Sequence, residues 1–123
     1  MASGKLADQI RESLTPCIEP GEQLRTVGGF QSGAMWAELP KASFFTIRNW
    51  WVGITDKRVI LAKQSRQNGT LLQDAIFTVA REDVVVSGHQ LRITSPDSRI
   101  PKRLRSLIGT GYDKDEFKEA LRN

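Results

Sequence analysis

Residues 45–63 read FTIRNWWVGITDKRVILAK, and this stretch decides the fold. Polar and apolar residues alternate along its first half. In an extended chain, Trp50, Val52 and Ile54 fall on one face, while Trp51 falls on the opposite face. The alternation therefore predicts a β-strand that places its two adjacent tryptophans on different sides of a sheet.

Thr55-Asp56-Lys57-Arg58 has the composition of a tight reverse turn. The apolar run Val59–Lys63 then returns as a second strand, covered on both faces or closing a barrel. The stretch is thus an antiparallel hairpin. We expect structural roles for two turn residues: Asp56 would cap turn amides, and Arg58 would pair with a nearby carboxylate.

Further strand patterns lie on both sides of this hairpin, separated by turn signals at intervals of roughly 8–12 residues. Gly28-Gly29 predicts a bulge or a sharp bend in the first strand, Asn68-Gly69 predicts a type I′ hairpin turn, and residues 95–112 read as irregular. The predicted strands are Gln23–Gln31, Ala34–Leu39, Phe45–Thr55, Val59–Lys63, Leu71–Ala80, Val84–Val86 and Gln90–Thr94.

A helix is predicted before the strands and another after them. Leu6, Ile10 and Leu14 recur every four residues, as in an amphipathic helix that Pro16 ends. Asp113 is a good N-cap for the second helix, whose buried stripe would hold Phe117, Ala120 and Leu121. The fold class is therefore mostly β: a bent seven-stranded antiparallel barrel or sandwich, capped by the C-terminal helix. Residues 1–16 form the extra N-terminal helix, and residues 17–123 form one domain.

Composition excludes several kinds of chemistry. The chain has 123 residues, one cysteine (Cys17) and one histidine (His89). An internal disulfide, a cysteine-cluster metal site and a multi-histidine metal site are excluded. Any catalytic thiol or Ser-His-Asp arrangement would have to use His89, which reads as a turn residue. We expect no catalytic residues, no metal and no cofactor, and hence a protein that is not an enzyme.

Positive charge is concentrated in two stretches. The net charge is +4, yet residues 48–66 and 92–105 each carry +4 on their own. Such stretches attract anionic surfaces, although a solvated face is the simpler interpretation. Residues 92–105 contain no aromatic residue for base stacking, so no nucleic acid is expected. The candidate anion- or lipid-binding residues are Arg48, Lys57, Arg58, Arg99, Lys102, Arg103 and Arg105.

Three tryptophans are the other conspicuous residues. Tryptophan is enriched at interfaces because it combines a large apolar area with a polar N–H. Trp36, Trp50 and Trp51 are therefore candidate contacts for a protein partner or a second copy of the chain. The alternative is that the N-terminal helix and the core cover Trp50 and Trp51 within one chain.

The order of these patterns resembles a known family. Pro20-Gly21-Glu22 precedes the first strand, Ile54-Thr-Asp-Lys-Arg-Val-Ile60 forms the hairpin, and a strand ends in the acidic step Ala80–Val86. The chain resembles the bacterial pleckstrin-homology-like domains, which are similar to GRAM domains. The resemblance implies two near-orthogonal antiparallel sheets with a capping helix, and a binding module rather than a fixed activity. The region Phe30–Trp36 departs from lipid-binding members because it has no basic residue.

Two functions follow as expectations. The first is a non-catalytic module that binds a protein partner or assembles with itself. The second is peripheral binding to an anionic membrane surface, which requires the two basic stretches to share one face. No run of about 20 apolar residues is present to span a bilayer, and no signal segment is visible. We expect a cytoplasmic protein, located at the membrane surface under the second function.

Overall fold

The computed structural model describes residues 2–32, 48–64, 71–107 and 111–122, with side chains except at 2–5, 48 and 71–74. Within these ranges the chain is mostly β. Seven antiparallel strands form one continuous curled sheet, a half-barrel, with one helix before the strands and one after them. The predicted fold class is confirmed. The elements are α1 (Ala2–Leu14), β1 (Leu24–Ser32), β2 (Arg48–Thr55), β3 (Val59–Gln64), β4 (Leu71–Val79), β5 (Val84–Ser87), β6 (Gln90–Ile93), β7 (Arg103–Ser106) and α2 (Lys114–Arg122).

Strand β1 joins two antiparallel meanders. The strand order is β4-β3-β2-β1-β7-β6-β5. β1 pairs with β2 along its whole length, from Leu24 opposite Thr55 to Ser32 opposite Arg48. It pairs with β7 only near its end, where Gln31 lies opposite Arg105. The β2–β3 turn therefore lies beside the start of β1, and β7 lies beside its end.

The inner face of the sheet packs against α2. Phe117 and Ala120 of α2 join Phe30, Trp50 and other buried side chains in the larger core cluster. Asp113 caps α2 as predicted, because its Oδ1 accepts the Glu116 N–H at 3.0 Å. Burial of apolar area at this face supplies the main driving force for the fold.

The outer face is covered in part by α1. Ile10 and Leu14 of α1 are fully buried and pack against Val27, Ile60 and Ala62 of the sheet. The apolar residues spaced four apart in the sequence thus form one apolar stripe along α1, as predicted. Together the two helices cover opposite faces, which explains the near-continuous apolar run of β3.

Two sequence expectations about strands are wrong in detail. The register shift in β1 lies between Leu24 and Thr26, and not at Gly28-Gly29. A Cβ at Gly28 would lie 3.1 Å from Phe30 Cε1 and 3.2 Å from Phe117 Cζ, so this glycine makes room for the aromatic side chains. In addition, β7 forms inside the stretch predicted to be irregular. The predicted strand 34–39 and the Asn68-Gly69 turn lie outside the described residues.

Gly111 fixes α1 against the segment that precedes α2. Its φ is +90°, in the region that favours glycine. A Cβ at position 111 would lie only 2.6 Å from Cβ of Ala7 in α1. Gly88 in the β5–β6 turn also has a positive φ, +61°, but a Cβ there would meet nothing within 4 Å. A side chain at position 88 would therefore introduce backbone strain alone. A side chain at position 111 would introduce both backbone strain and a steric clash with α1.

We expect Gly111→Ala to destabilise the protein more than Gly88→Ala. Both substitutions impose an unfavourable φ, at about 1 kcal/mol each. Only Gly111→Ala also forces α1 away from the sheet, which adds about 1–3 kcal/mol of overpacking. Urea unfolding of the two variants and the wild type measures the difference. Equal losses in the two variants would contradict the close contact between Ala7 and Gly111.

Candidate functional site

The structure first separates the predicted site residues that stabilise the fold from those that are free. Arg58 belongs to the first group. Its Nε and Nη2 donate to Glu22 Oε2 and Oε1 at 2.9 and 3.0 Å, and Nη2 also donates to the Cys17 carbonyl at 3.0 Å. The Glu22 side chain is fully buried, and that of Arg58 is 24% exposed. The anion-binding role predicted for Arg58 is therefore wrong, because a carboxylate already neutralises its guanidinium.

The hydrogen bonds of this pair shift the titration of Glu22. Those donated by Arg58 lower the pKa of Glu22 from 4.5 to about 2, burial opposes the shift, and the Thr55 hydroxyl adds to it. Thr55 Oγ1 donates to Glu22 Oε2 at 2.6 Å. The same oxygen accepts the N–H groups of Lys57 and Arg58. Thr55 thus connects the buried ion pair to the backbone of the β2–β3 turn.

Asp56 has a structural role that differs from the predicted one. Its Oδ1 accepts the Gln23 N–H at 2.9 Å, and its own N–H donates to the Gln23 carbonyl at 3.1 Å. Asp56 therefore extends the pairing of the turn with the start of β1, while Thr55 caps the turn amides. The predicted pairing of Arg58 with a carboxylate is confirmed.

The tryptophans occupy different environments. Trp50 is 2% exposed in the inner core, and its Nε1 donates to Ser32 Oγ at 2.8 Å. The partner contact predicted for Trp50 is therefore wrong, because its indole offers no surface. Trp51 is half-buried on the outer face, against the cluster that α1 covers. Trp36 lies outside the described residues.

Several of the predicted basic residues are separated from one another. Lys57 is exposed in the β2–β3 turn, at the opposite end of β1 from β7. Lys63 lies over the Trp50 ring, with Nζ at 5.7 Å from its centroid. The backbone of Arg48 lies opposite Ser32, and its side chain is not among those that the structure describes. Among described side chains, the basic residues of the stretch 48–66 thus form no common face with those of the stretch 92–105.

Arg99 is also paired. Its Nε and Nη2 donate to Asp97 Oδ1 and Oδ2 at 3.0 and 2.8 Å, and its guanidinium lies 5.0 Å from the centroid of Phe77. These hydrogen bonds lower the pKa of Asp97 to about 2. Unlike the Glu22–Arg58 pair, this pair is exposed, so it contributes little to stability. Its charges compensate each other at the surface.

The other three arginines of the stretch 92–105 lie together on the outer face. Arg92 of β6 lies directly opposite Arg103 of β7, and Arg105 is two residues further on the same face. All three side chains are exposed. None of them forms an ion pair with a carboxylate of the described ranges. We call Arg92, Arg103 and Arg105 the basic face; exposed Lys102 immediately precedes β7.

Neutral polar side chains continue this face toward β2. Arg105 lies opposite Gln90 of β6 on one side and opposite Gln31 of β1 on the other. Gln31 lies opposite Asn49 of β2, and its Nε2 donates to Asn49 Oδ1 at 3.3 Å. We call Gln90, Gln31 and Asn49 the amide row. Trp51 follows Asn49 by two residues and so lies on the same face, at the border of the area that α1 covers.

Arg92 and the amide row were not singled out from the sequence. Arg92 belongs to the basic stretch, but its pairing with Arg103 depends on the register of β6 and β7. The Arg103-Leu104-Arg105 alternation is a period-2 signal that could have identified β7. The amide row brings together residues 31, 49 and 90, whose proximity no local pattern reveals.

Two clefts are lined without any residue of the basic face. One, of about 460 Å³, is lined by Arg25, Thr26 and three residues of α2. The other, of about 420 Å³, is lined by residues that include His89 and Tyr112, whose hydroxyl donates to the Gly88 carbonyl at 2.8 Å. Within the described ranges, no three His, Cys, Asp or Glu side chains are grouped so that they could hold a metal ion. Neither described helix is long and apolar enough to cross a lipid bilayer.

Comparison with protein-family models, with curated proteins and with solved structures finds no match for this chain.

We expect Glu22→Gln to destabilise the protein by about 3 kcal/mol at neutral pH, because Arg58 loses its buried partner. Since folding lowers the pKa of Glu22 to about 2, the ionised pair stabilises fully above pH 4.5. That stabilisation is lost as the pH falls through about 2. The difference between wild type and variant should therefore shrink on acidification. Urea unfolding between neutral and acidic pH measures it.

Asp97→Asn is the matched control for this experiment. Asp97 also has a pKa lowered to about 2 by an arginine, but the pair that it forms is exposed. Because solvent screens this exposed pair, its loss should change the free energy of unfolding, and the pH dependence of that free energy, much less than Glu22→Gln does. If the effect of Glu22→Gln did not vary with pH, the Glu22 carboxyl would not be ionised in the folded protein.

Proposed function

We propose that this chain is a non-catalytic binding module that docks on an anionic membrane surface through its basic face. The described basic side chains of the two stretches do not share one face, so the docking proposed here uses the second stretch alone, and not both stretches as the sequence led us to expect. The observation that carries the proposal is the group of three exposed arginines, Arg92, Arg103 and Arg105, without a carboxylate partner among the described residues. The resemblance to pleckstrin-homology-like domains supports a binding role. The site differs from the usual lipid-binding site of that family, because the matching region Phe30–Trp36 has no basic residue.

The position of Arg92 opposite Arg103 is costly for the isolated protein. Like charges directly opposite each other across two strands are destabilising. An anionic surface offsets this repulsion, and each arginine close to such a surface contributes about 1 kcal/mol of binding. Residues that lower the stability of the folded protein without improving its packing are expected at a functional surface.

The surroundings of the arginines favour a lipid surface. Val85 of β5 lies opposite Arg92 on the same face and is 57% exposed, the one large hydrophobic residue so exposed among those described. Basic residues next to an exposed apolar side chain suit the boundary between headgroups and acyl chains. The basic face has no aromatic ring between its arginines, as a base-stacking platform would require.

The protein-partner hypothesis has less support. It depended on three tryptophans, of which Trp50 is buried in the core. For Trp51 and Trp36 it stays a prediction. Trp51 lies next to the amide row, where a half-buried indole also suits a membrane interface.

We expect the protein to sediment with vesicles that contain anionic lipid, but not with neutral vesicles. Binding should weaken steeply between low and physiological salt, because screening shortens the range of the attraction. The variant R92Q/R103Q/R105Q should lose about 100-fold in membrane partitioning, as three surface charges predict. Co-sedimentation at increasing lipid concentration measures the partition coefficient.

The matched control K57Q/K118Q/R122Q removes the same number of exposed positive charges. Lys57 lies at the far end of β1, and the other two lie on α2, which packs against the inner face. This control should retain most of the binding. Equal losses in the two triple variants would show that net charge acts alone, and would overturn the assignment to the basic face.

A further inference from the structure

The amide row places neutral hydrogen-bonding groups immediately beside Arg105. Gln90 and Gln31 flank Arg105 on the two neighbouring strands, and both are half-buried, so the sheet restricts their motion. The Gln31 amide nitrogen donates to Asn49. The Gln31 carbonyl oxygen and the Asn49 amide nitrogen take no part in this hydrogen bond, so a ligand can use them. The row thus presents both donors and acceptors next to a fixed positive charge.

We propose that this face selects phospholipids whose headgroup carries free hydroxyls beside a phosphodiester, as in phosphatidylglycerol. The inference rests on the proposed function and specifies its ligand. Arg105 and Arg103 would bind the phosphodiester through charge-assisted hydrogen bonds. The headgroup hydroxyls would then lie over the amide row, where they can both donate and accept.

An anionic headgroup without hydroxyls fits this arrangement less well. The methyl headgroup of phosphatidylmethanol carries the same phosphodiester charge but has no group that donates to the amide acceptors or accepts from the amide donors of the row. At equal surface charge, phosphatidylmethanol should therefore bind more weakly than phosphatidylglycerol. Electrostatic attraction by itself would not distinguish the two lipids.

The test compares vesicles of phosphatidylcholine that contain equal mole fractions of phosphatidylglycerol or phosphatidylmethanol. We expect the wild type to bind the phosphatidylglycerol vesicles about fivefold more tightly at physiological salt, the effect of about one net hydrogen bond. The variant Q31A/Q90A should bind both kinds of vesicle equally, with its salt dependence unchanged. Asn49→Ala, at an exposed position, should reduce the preference without affecting the fold.

The control Q9A/Q23A removes two exposed glutamines elsewhere in the chain and should keep the full preference. Equal binding of both vesicle types by the wild type, with normal salt dependence, would overturn the headgroup inference and leave the proposed function intact. The inference also fails if the preference survives in Q31A/Q90A and Asn49→Ala. Binding to neither vesicle would overturn the proposed function, and this inference with it.

Discussion

The buried ion pair between Glu22 and Arg58 is the interaction on which the arrangement of the strands depends. Its two members come from the segment before β1 and from the β2–β3 turn, 36 residues apart. A buried carboxylate is tolerated only where its oxygens are satisfied. Here both Glu22 oxygens accept from Arg58, and Oε2 accepts from Thr55 as well. These contacts connect the segment before β1 to the β2–β3 turn, so the pair fixes where β1 begins relative to β2.

The pairing register of β1 extends this constraint from the turn to the neighbouring strands. After the register shift between Leu24 and Thr26, β1 places Phe30 opposite Trp50 on the inner face and Val27 under α1 on the outer face. A slip by one residue would exchange the two faces. Because β7 pairs with the end of β1, the same alignment brings Arg105 beside Gln31. The buried pair and the basic face are thus at opposite ends of one strand.

The sequence predicts what depends on local pattern and misses what depends on pairing. Alternation identified the central hairpin, and the spacing of Ile10 and Leu14 identified α1, because periodicity reports which face is buried. It also showed that Trp50 and Trp51 face opposite sides, but not which one the core would hold. β7 was missed because its short Arg-Leu-Arg pattern reads equally well as a charged loop. Whether Arg58 would bind an external anion or pair with a carboxylate of its own chain depended on Glu22, which is distant in sequence.

The two basic stretches illustrate the same difference. Each carries the same net charge, yet the folded protein arranges their basic side chains differently. In the first stretch, Arg58 is neutralised and Lys63 lies over Trp50. In the second, alternation along β7 places Arg103 and Arg105 on one side, and register adds Arg92 from β6. Their side chains stand on the outer face, away from the inner core. Substitution there changes the surface charge without opening a cavity, so binding and stability can be separated by mutation in this protein.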